Sequence, residues 1–271
     1  MITRVLFSDN GVLNDLSVKM ADYNQGNQSL TITASEDYLY IGAYYPFNAK
    51  FFKMKTVATI VSNPTIEYWT GSSGWKSAVE VIDETAGFKS NGFITWVPNK
   101  DYGWTREDTN KITALYSKVI YDLFWLRIKF SADTVIDLEW IGELFSNDYD
   151  IGAEFPDLLR SQTLDSFKTG KTDWEEQHVI AAKVIIDDLK AKKIINFKEQ
   201  ILDRKELTLA SVQKCAALIY SSFGDDYADN RKDAEFEYQK RLKKDIFNID
   251  TNESATITPE GQKARQGFLV R

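Results

Sequence analysis

The chain holds one cysteine, Cys215, and one histidine, His178, in 271 residues. A lone thiol cannot close an intramolecular disulfide, so the fold must rest on its core, as in a reducing compartment. A lone imidazole removes most zinc sites and most nucleophile–histidine–acid arrangements at once. Long apolar runs are missing too, since none approaches the roughly 18 residues of a membrane span. The opening "MITRVLFSDNG" lacks the basic start and apolar centre of a secretory leader. A soluble, non-secreted protein is expected.

Positive charge is in short supply as well. The chain carries 33 Lys and Arg against 40 Asp and Glu, a net charge of −7. The deficit lies before residue 151, where 13 basic side chains face 19 acidic ones; the remainder holds 20 and 21. Tight binding of a phosphate backbone needs clustered Lys and Arg, which disfavours nucleic-acid recognition. A glycine-rich phosphate cradle is absent from the sequence.

What is present is apolar and aromatic residues in two periods. Hydrophobic residues make up 43% of the chain, and its length suits one large or two small domains. Before residue 150 the pattern alternates, as in "SLTITA", "LFWLRIKFS" and "VIDLEWIGELF". In the second of these Phe124, Leu126, Ile128 and Phe130 face one way; in the third Ile136, Leu138, Trp140 and Leu144 do. "TIEYWTGSSGWKSAVEV" reads as a hairpin whose mouth is set by Trp69 and Trp75. Frequent turn signals between these runs point to an antiparallel sandwich or barrel, and a β-sandwich is expected over 1–150.

After Gly152 the spacing becomes helical. Thr172 or Asp173 can cap a helix carrying Trp174, His178, Ala181, Ile185 and Leu189 on one face. "DRKE", residues 203–206, fits the start of a second helix, with Gly224 at its end. A third runs from Tyr227 to Phe247, and a shorter one precedes them near Pro156–Phe167. Residues 151–249 are therefore expected to form an antiparallel helical bundle, and 250–271 an extended arm. The fold class is α+β in two segregated domains.

The search for chemistry nominates no catalytic, cofactor-binding or metal-ligating residue. His178 lies on an apolar helical stripe, where a satisfied interior histidine is the simpler reading. Cys215 reads as an inert buried thiol. "DTNESAT" places Asp250, Asn252 and Ser254 like a calcium loop, but Ala255 and Gly261 replace its glycine and glutamate. The tryptophans leave two possibilities, a carbohydrate platform or core and interface packing, and packing is preferred.

Three helical segments carry a resemblance: "DWEEQHVIAAKVIIDDLKAKKI", "ILDRKELTLASVQKCAALIYSSF" and "KDAEFEYQKRLKKDIFNIDTN". Together, from Asp173 to about Asn252, they resemble the head–tail adaptor (head-completion, neck connector) proteins of tailed bacteriophages. The segments "DYLYIGAYYPFNAKFFKM", "IEYWTGSSGW" and "GFITWVPNKDYGW" are similar to sandwich domains of tailed-phage virion proteins. The resemblance implies a structural, non-enzymatic protein without cofactors, assembled in the host cytoplasm and placed at the virion neck. It implies a cyclic homo-oligomer of about a dozen subunits that joins the portal protein to tail or neck proteins. Genomic DNA would pass through without specific binding, which an acidic surface favours. The β half would meet fibres, capsid or neighbouring neck proteins, with Trp69, Trp75 and Trp104 as contact candidates. The arm would dock on the portal through Phe268, Leu269, Val270 and Arg271; a terminus without such a role is the alternative. The rival function is a tail-fibre or baseplate attachment protein whose sandwich binds glycans or protein.

Overall fold

Strands form where apolar residues alternate, and helices where they recur every three or four positions. The computed structural model describes residues 3–23, 27–244 and 248–256. The strands of its first half are β1 (Arg4–Asp9), β2 (Val12–Asp15), β3 (Gln28–Ile32), β4 (Tyr38–Ala43), β5 (Ala49–Thr56) and β6 (Pro64–Trp69). They are followed by β7 (Trp75–Ser77), β8 (Val79–Asp83), β9 (Gly92–Val97), β10 (Arg106–Glu107), β11 (Leu123–Phe130) and β12 (Thr134–Gly142). Helix α1 (Ser17–Ala21) lies among them. Five more helices follow β12: α2 (Asp148–Glu154), α3 (Ser161–Phe167), α4 (Glu175–Ala191), α5 (Thr208–Ser221) and α6 (Ala228–Lys244). The protein is α+β, with two antiparallel sheets and six helices among the described residues.

One sheet has the order β2-β1-β4-β11-β6-β7, with β10 beside β11, and the other runs β3-β12-β5-β9-β8. Leu39, Ile41, Ile66, Tyr68, Leu126 and Ile128 of the first sheet share one apolar cluster with Leu30, Ile32, Phe52, Ile94, Ile136 and Leu138 of the second. Each fully buried aliphatic side chain contributes roughly 1.5–3 kcal/mol, so this cluster dominates the stability of the region. The expected alternation fails in β12. Its pairing with β5 shifts between Leu138 and Trp140, and the extra residue reverses the faces. Ile141 takes the core side, while the Trp140 ring meets Tyr23 at 5.6 Å and Phe51 at 6.0 Å.

Among the described residues the chain divides into two compact units. The first comprises the chain up to Gly142 together with Asp250–Thr256, and the second Glu143–Ile249. The changeover thus falls at Gly142 rather than at residue 150. Glu143 already pairs with Arg204 at 3.0 Å, and Phe145 packs with Ile185 and Leu189.

The second unit is built around α5, which packs against both α4 and α6. Ile185 and Leu189 of α4 share a cluster with Tyr238 and Leu242 of α6. Trp174 and Ala181 share another with Val212, Ala216 and Ile219 of α5. Two expected caps differ. Lys205–Leu207 form a 3-10 turn before α5, which begins at Thr208 with no side-chain cap, so "DRKE" is not its start. Gly224 adopts φ +81°, three residues past the end of α5 and leading into the next turn, a conformation in which glycine is unstrained. The described part of α6 ends at Lys244, and the expected end at Phe247 lies outside the described residues.

Residues 250–256 are not part of a free arm. Asp250 is fully buried, its Oδ1 accepting from the Asn252 N–H (3.0 Å) and its Oδ2 from the Ala255 N–H (2.6 Å). Tyr45 Oη donates to the Asp250 carbonyl at 3.1 Å and accepts from the Glu253 N–H at 3.0 Å. Arg106 holds Glu253 at 3.1 Å, and Ala255 enters the core of the first unit. Both carboxylate oxygens of Asp250 therefore organise a turn, which accounts for a pattern that looks like a cation loop. The remainder of the expected arm, with Phe268, Leu269, Val270 and Arg271, lies outside the described residues.

Candidate functional site

The hairpin of β6 and β7 pairs Trp69 with Trp75 across the three-residue turn Gly71–Ser73. Its register puts Tyr68 in the main core and both tryptophans on the opposite face of the sheet. There Tyr40, Arg127 and Glu67 stand in one row across β4, β11 and β6. Arg127 donates to Glu67 at 2.5 Å and Lys129 lies 3.2 Å from the same carboxylate. The Arg127 guanidinium sits 5.0 Å from the Tyr38 ring and 4.7 Å from the Trp75 ring. Burial pushes the Tyr40 phenol up, opposed by the charge of Arg127. The indole of Trp125 crosses Gly42 so closely that a Cβ there would lie 2.7 Å from it.

This face is covered, not open. Ile112 and Leu115, from the segment between β10 and β11, join Leu6, Tyr40, Leu123 and Trp125 in a second cluster. Trp69 and Trp75 are half-buried against it, and their rings meet edge to face at 5.3 Å. In such a pair the edge of one indole covers a face of the other, so the two rings do not form one continuous flat platform. Trp104 is elsewhere. It is 8% exposed in the main core between Phe47, Tyr68 and Phe124, and its Nε1 donates to the Trp125 carbonyl at 3.1 Å. As a contact candidate Trp104 is corrected to an interior side chain.

The second unit contains a constellation that the sequence did not disclose. Ser146 Oγ lies 2.7 Å from His178 Nδ1, and His178 Nε2 lies 3.2 Å from Asp148 Oδ1. Ser211 Oγ is a further 2.7 Å from Ser146 Oγ. The residue types are those of an acyl-transfer triad, but the hydroxyl meets Nδ1 and the acid Nε2, the reverse of the usual arrangement. Ser146, His178 and Ser211 are 5%, 1% and 0% exposed, so a substrate carbonyl cannot reach the hydroxyl. Asp148 also accepts from the Trp174 N–H at 3.1 Å, at the start of α4. The cluster ties the starts of α2 and α4 to α5, and His178 is a satisfied interior residue. The signal that could have revealed it is "SNDYD", where Asn147 and Asp150 form a reciprocal cap at the start of α2.

Cys215 is fully buried in the same unit, and desolvation pushes its thiol far above the usual range. Sequence reasoning also missed a groove of about 450 Å³ between α5 and α6, edged by Lys214, Leu218, Arg231, Lys232 and Phe236. Among the described residues no group of three or more His, Cys, Asp or Glu side chains is placed to hold a metal ion. No described helix is long and apolar enough to cross a membrane.

Compared with known proteins, the chain matches no family model and no curated protein.

Proposed function

We propose that the chain is a structural virion neck protein that forms a ring between the portal and the tail and completes the DNA-filled head. In this reading the two sheets are a protein-facing β-sandwich and α4, α5 and α6 an adaptor bundle, with no enzymatic activity. The observation that carries it is the helical unit. The segments that resemble phage adaptors supply α4, α5 and most of the described α6, with α4 and α6 both packed against α5. The Ser146–His178–Asp148 cluster is spent on joining helices. A glycan-binding attachment protein is favoured less, because Trp69 and Trp75 are set edge to face and half-buried. The portal, neighbouring tail or neck proteins and other copies of the chain are the proposed partners, with DNA passing without specific contact.

Deletion of the gene tests the function. It should leave separate tails and heads that lose DNA, and the intact chain supplied in trans should restore joined particles. Infectious tailed particles assembled without the protein would overturn the proposal.

A further inference from the structure

The cluster that ties α2, α4 and α5 together holds its protons in an order that the geometry fixes. Both carboxylate oxygens of Asp148 accept from the Trp174 N–H, and Oδ1 also lies 3.2 Å from His178 Nε2. A carboxylate only accepts, so the ring presents an N–H at Nε2. In the singly protonated ring Nδ1 is then bare, and it accepts from the Ser146 hydroxyl at 2.7 Å. Ser146 Oγ, with its own proton turned to the ring, accepts from the Ser211 hydroxyl at 2.7 Å. Every donor has an acceptor, and the bonds run one way from Ser211 through Ser146 and His178 to Asp148.

No other arrangement meets all these needs. With the single ring proton at Nδ1, a bare Nε2 would face the Asp148 carboxylate, lone pair to lone pair. With a second proton on the ring, Nδ1–H must donate to Ser146 Oγ. Ser146 can then turn its proton to Ser211, but the Ser211 hydroxyl is left without an acceptor. Among the described residues its Oγ bonds Ser146 alone, and at 0% exposure bulk water does not reach it.

We propose that this series is a proton-sensitive joint, in which a second proton on His178 and a settled Ser146–Ser211 link exclude each other, so that acid frees α5 from the segment ahead of α2. The charged and titratable groups around the imidazole are Asp148 on α2, Cys215 on α5 and Lys171 ahead of α4, the last 5.1 Å from the Trp174 ring. None supplies the missing acceptor. Asp148 meets Nε2–H in either charge state of the ring, an ammonium only donates, and burial keeps the Cys215 thiol protonated. The negative charge of Asp148 draws a second proton to the ring while the stranded hydroxyl opposes it. That conflict falls on Ser211, which has one bond to lose. His178 is the one histidine of the chain, so no second imidazole produces the same response. The inference does not rest on the neck reading above.

The test is nitrogen NMR of the ring in the full chain, where one histidine gives one pair of signals. Under mildly alkaline conditions Nε2 should carry the proton and Nδ1 should be bare; a proton on Nδ1 there would overturn the proposal. The sample is then acidified, and amide exchange at the start of α5 is followed with intrinsic rates corrected for pH. The second ring proton should arrive together with exchange about fivefold faster or more over Thr208–Val212, or only as the whole unit unfolds. A doubly protonated ring with that exchange unchanged would show that proton and link coexist, and the joint would be disproved. His178→Gln, verified as folded by circular dichroism, should lack the acid response; a variant that kept it would assign the response to another group.

Discussion

Truncating Trp104 removes a ring enclosed by Phe47, Tyr68 and Phe124 and leaves the Trp125 carbonyl without its donor. Trp104→Ala should cost about 3–5 kcal/mol in urea unfolding, and Trp75→Ala, already half in solvent, roughly half as much. Equal costs would show that the two indoles are not packed so differently. Tyr238 gives a pH test. Its hydroxyl donates to Asp188 at 2.5 Å, and burial, first, and that carboxylate, second, push the phenol far above its ordinary value of 10.0. The folded state keeps the proton while the unfolded chain releases it, so stability is fully present below about pH 10 and falls as pH rises further. Each such phenol contributes a slope of up to about 1.4 kcal/mol per pH unit, and Tyr40, Tyr68 and Tyr220 are shifted in the same direction. Tyr238→Phe should flatten the alkaline decline measured by urea titrations; an unchanged slope would contradict the assignment. Cys215 should resist Ellman's reagent until denaturant is added, because its thiolate is strongly disfavoured in the fold.

Helix α4 begins where two parts of the chain meet. The cap expected at Thr172 or Asp173 is displaced, since Trp174 holds the N-cap position without a side-chain cap. Asp173 Oδ1, one residue earlier, accepts from the Glu175 N–H at 3.1 Å, and Asp148 reaches the Trp174 N–H from 26 residues away. Asp148→Ala should therefore cost about 1–2 kcal/mol, more than Asp173→Ala, in thermal unfolding followed by circular dichroism. The reverse order would assign the cap to the local residue. Periodicity made α4, α5, α6 and the alternating strands legible, because a buried face repeats at fixed spacing. It did not reveal Ser146 beside His178, since 32 positions separate them and only tertiary packing joins them. Nor did it reveal the reversal at Trp140, because a single inserted residue leaves the composition of a strand unchanged.

At the scale of the molecule, the return of residues 250–256 to the first unit was hidden for a related reason. Asp250, Asn252 and Ser254 look polar and solvated in sequence, yet the Asp250 carboxylate is consumed by its own turn and Ala255 is core. A chain ending at residue 249 should therefore lose stability in the β unit, and one ending at Thr256 should keep it, as read by urea midpoints from tryptophan fluorescence. Equal midpoints would mean that the Tyr45 and Arg106 contacts to this segment contribute nothing. The cut after Thr256 is also the one that isolates any docking role of Phe268, Leu269, Val270 and Arg271, because it spares Ala255.

A chain that leaves one unit at Gly142 and re-enters it at Asp250 carries its helices as an insert. Where the insert begins, Glu143 pairs with Arg204; where it ends, the Leu202 N–H bonds the Asn248 carbonyl and Ile201 bridges Ile249. Both borders are thus fastened to the same short stretch, residues 201–204. Insertions with adjoining ends can be gained, lost or exchanged without breaking the host's own connections. The helices are in this sense a cassette: a genome could trade them for another set, or a designer could splice a short linker in their place, and the sheets would still close around Ala255.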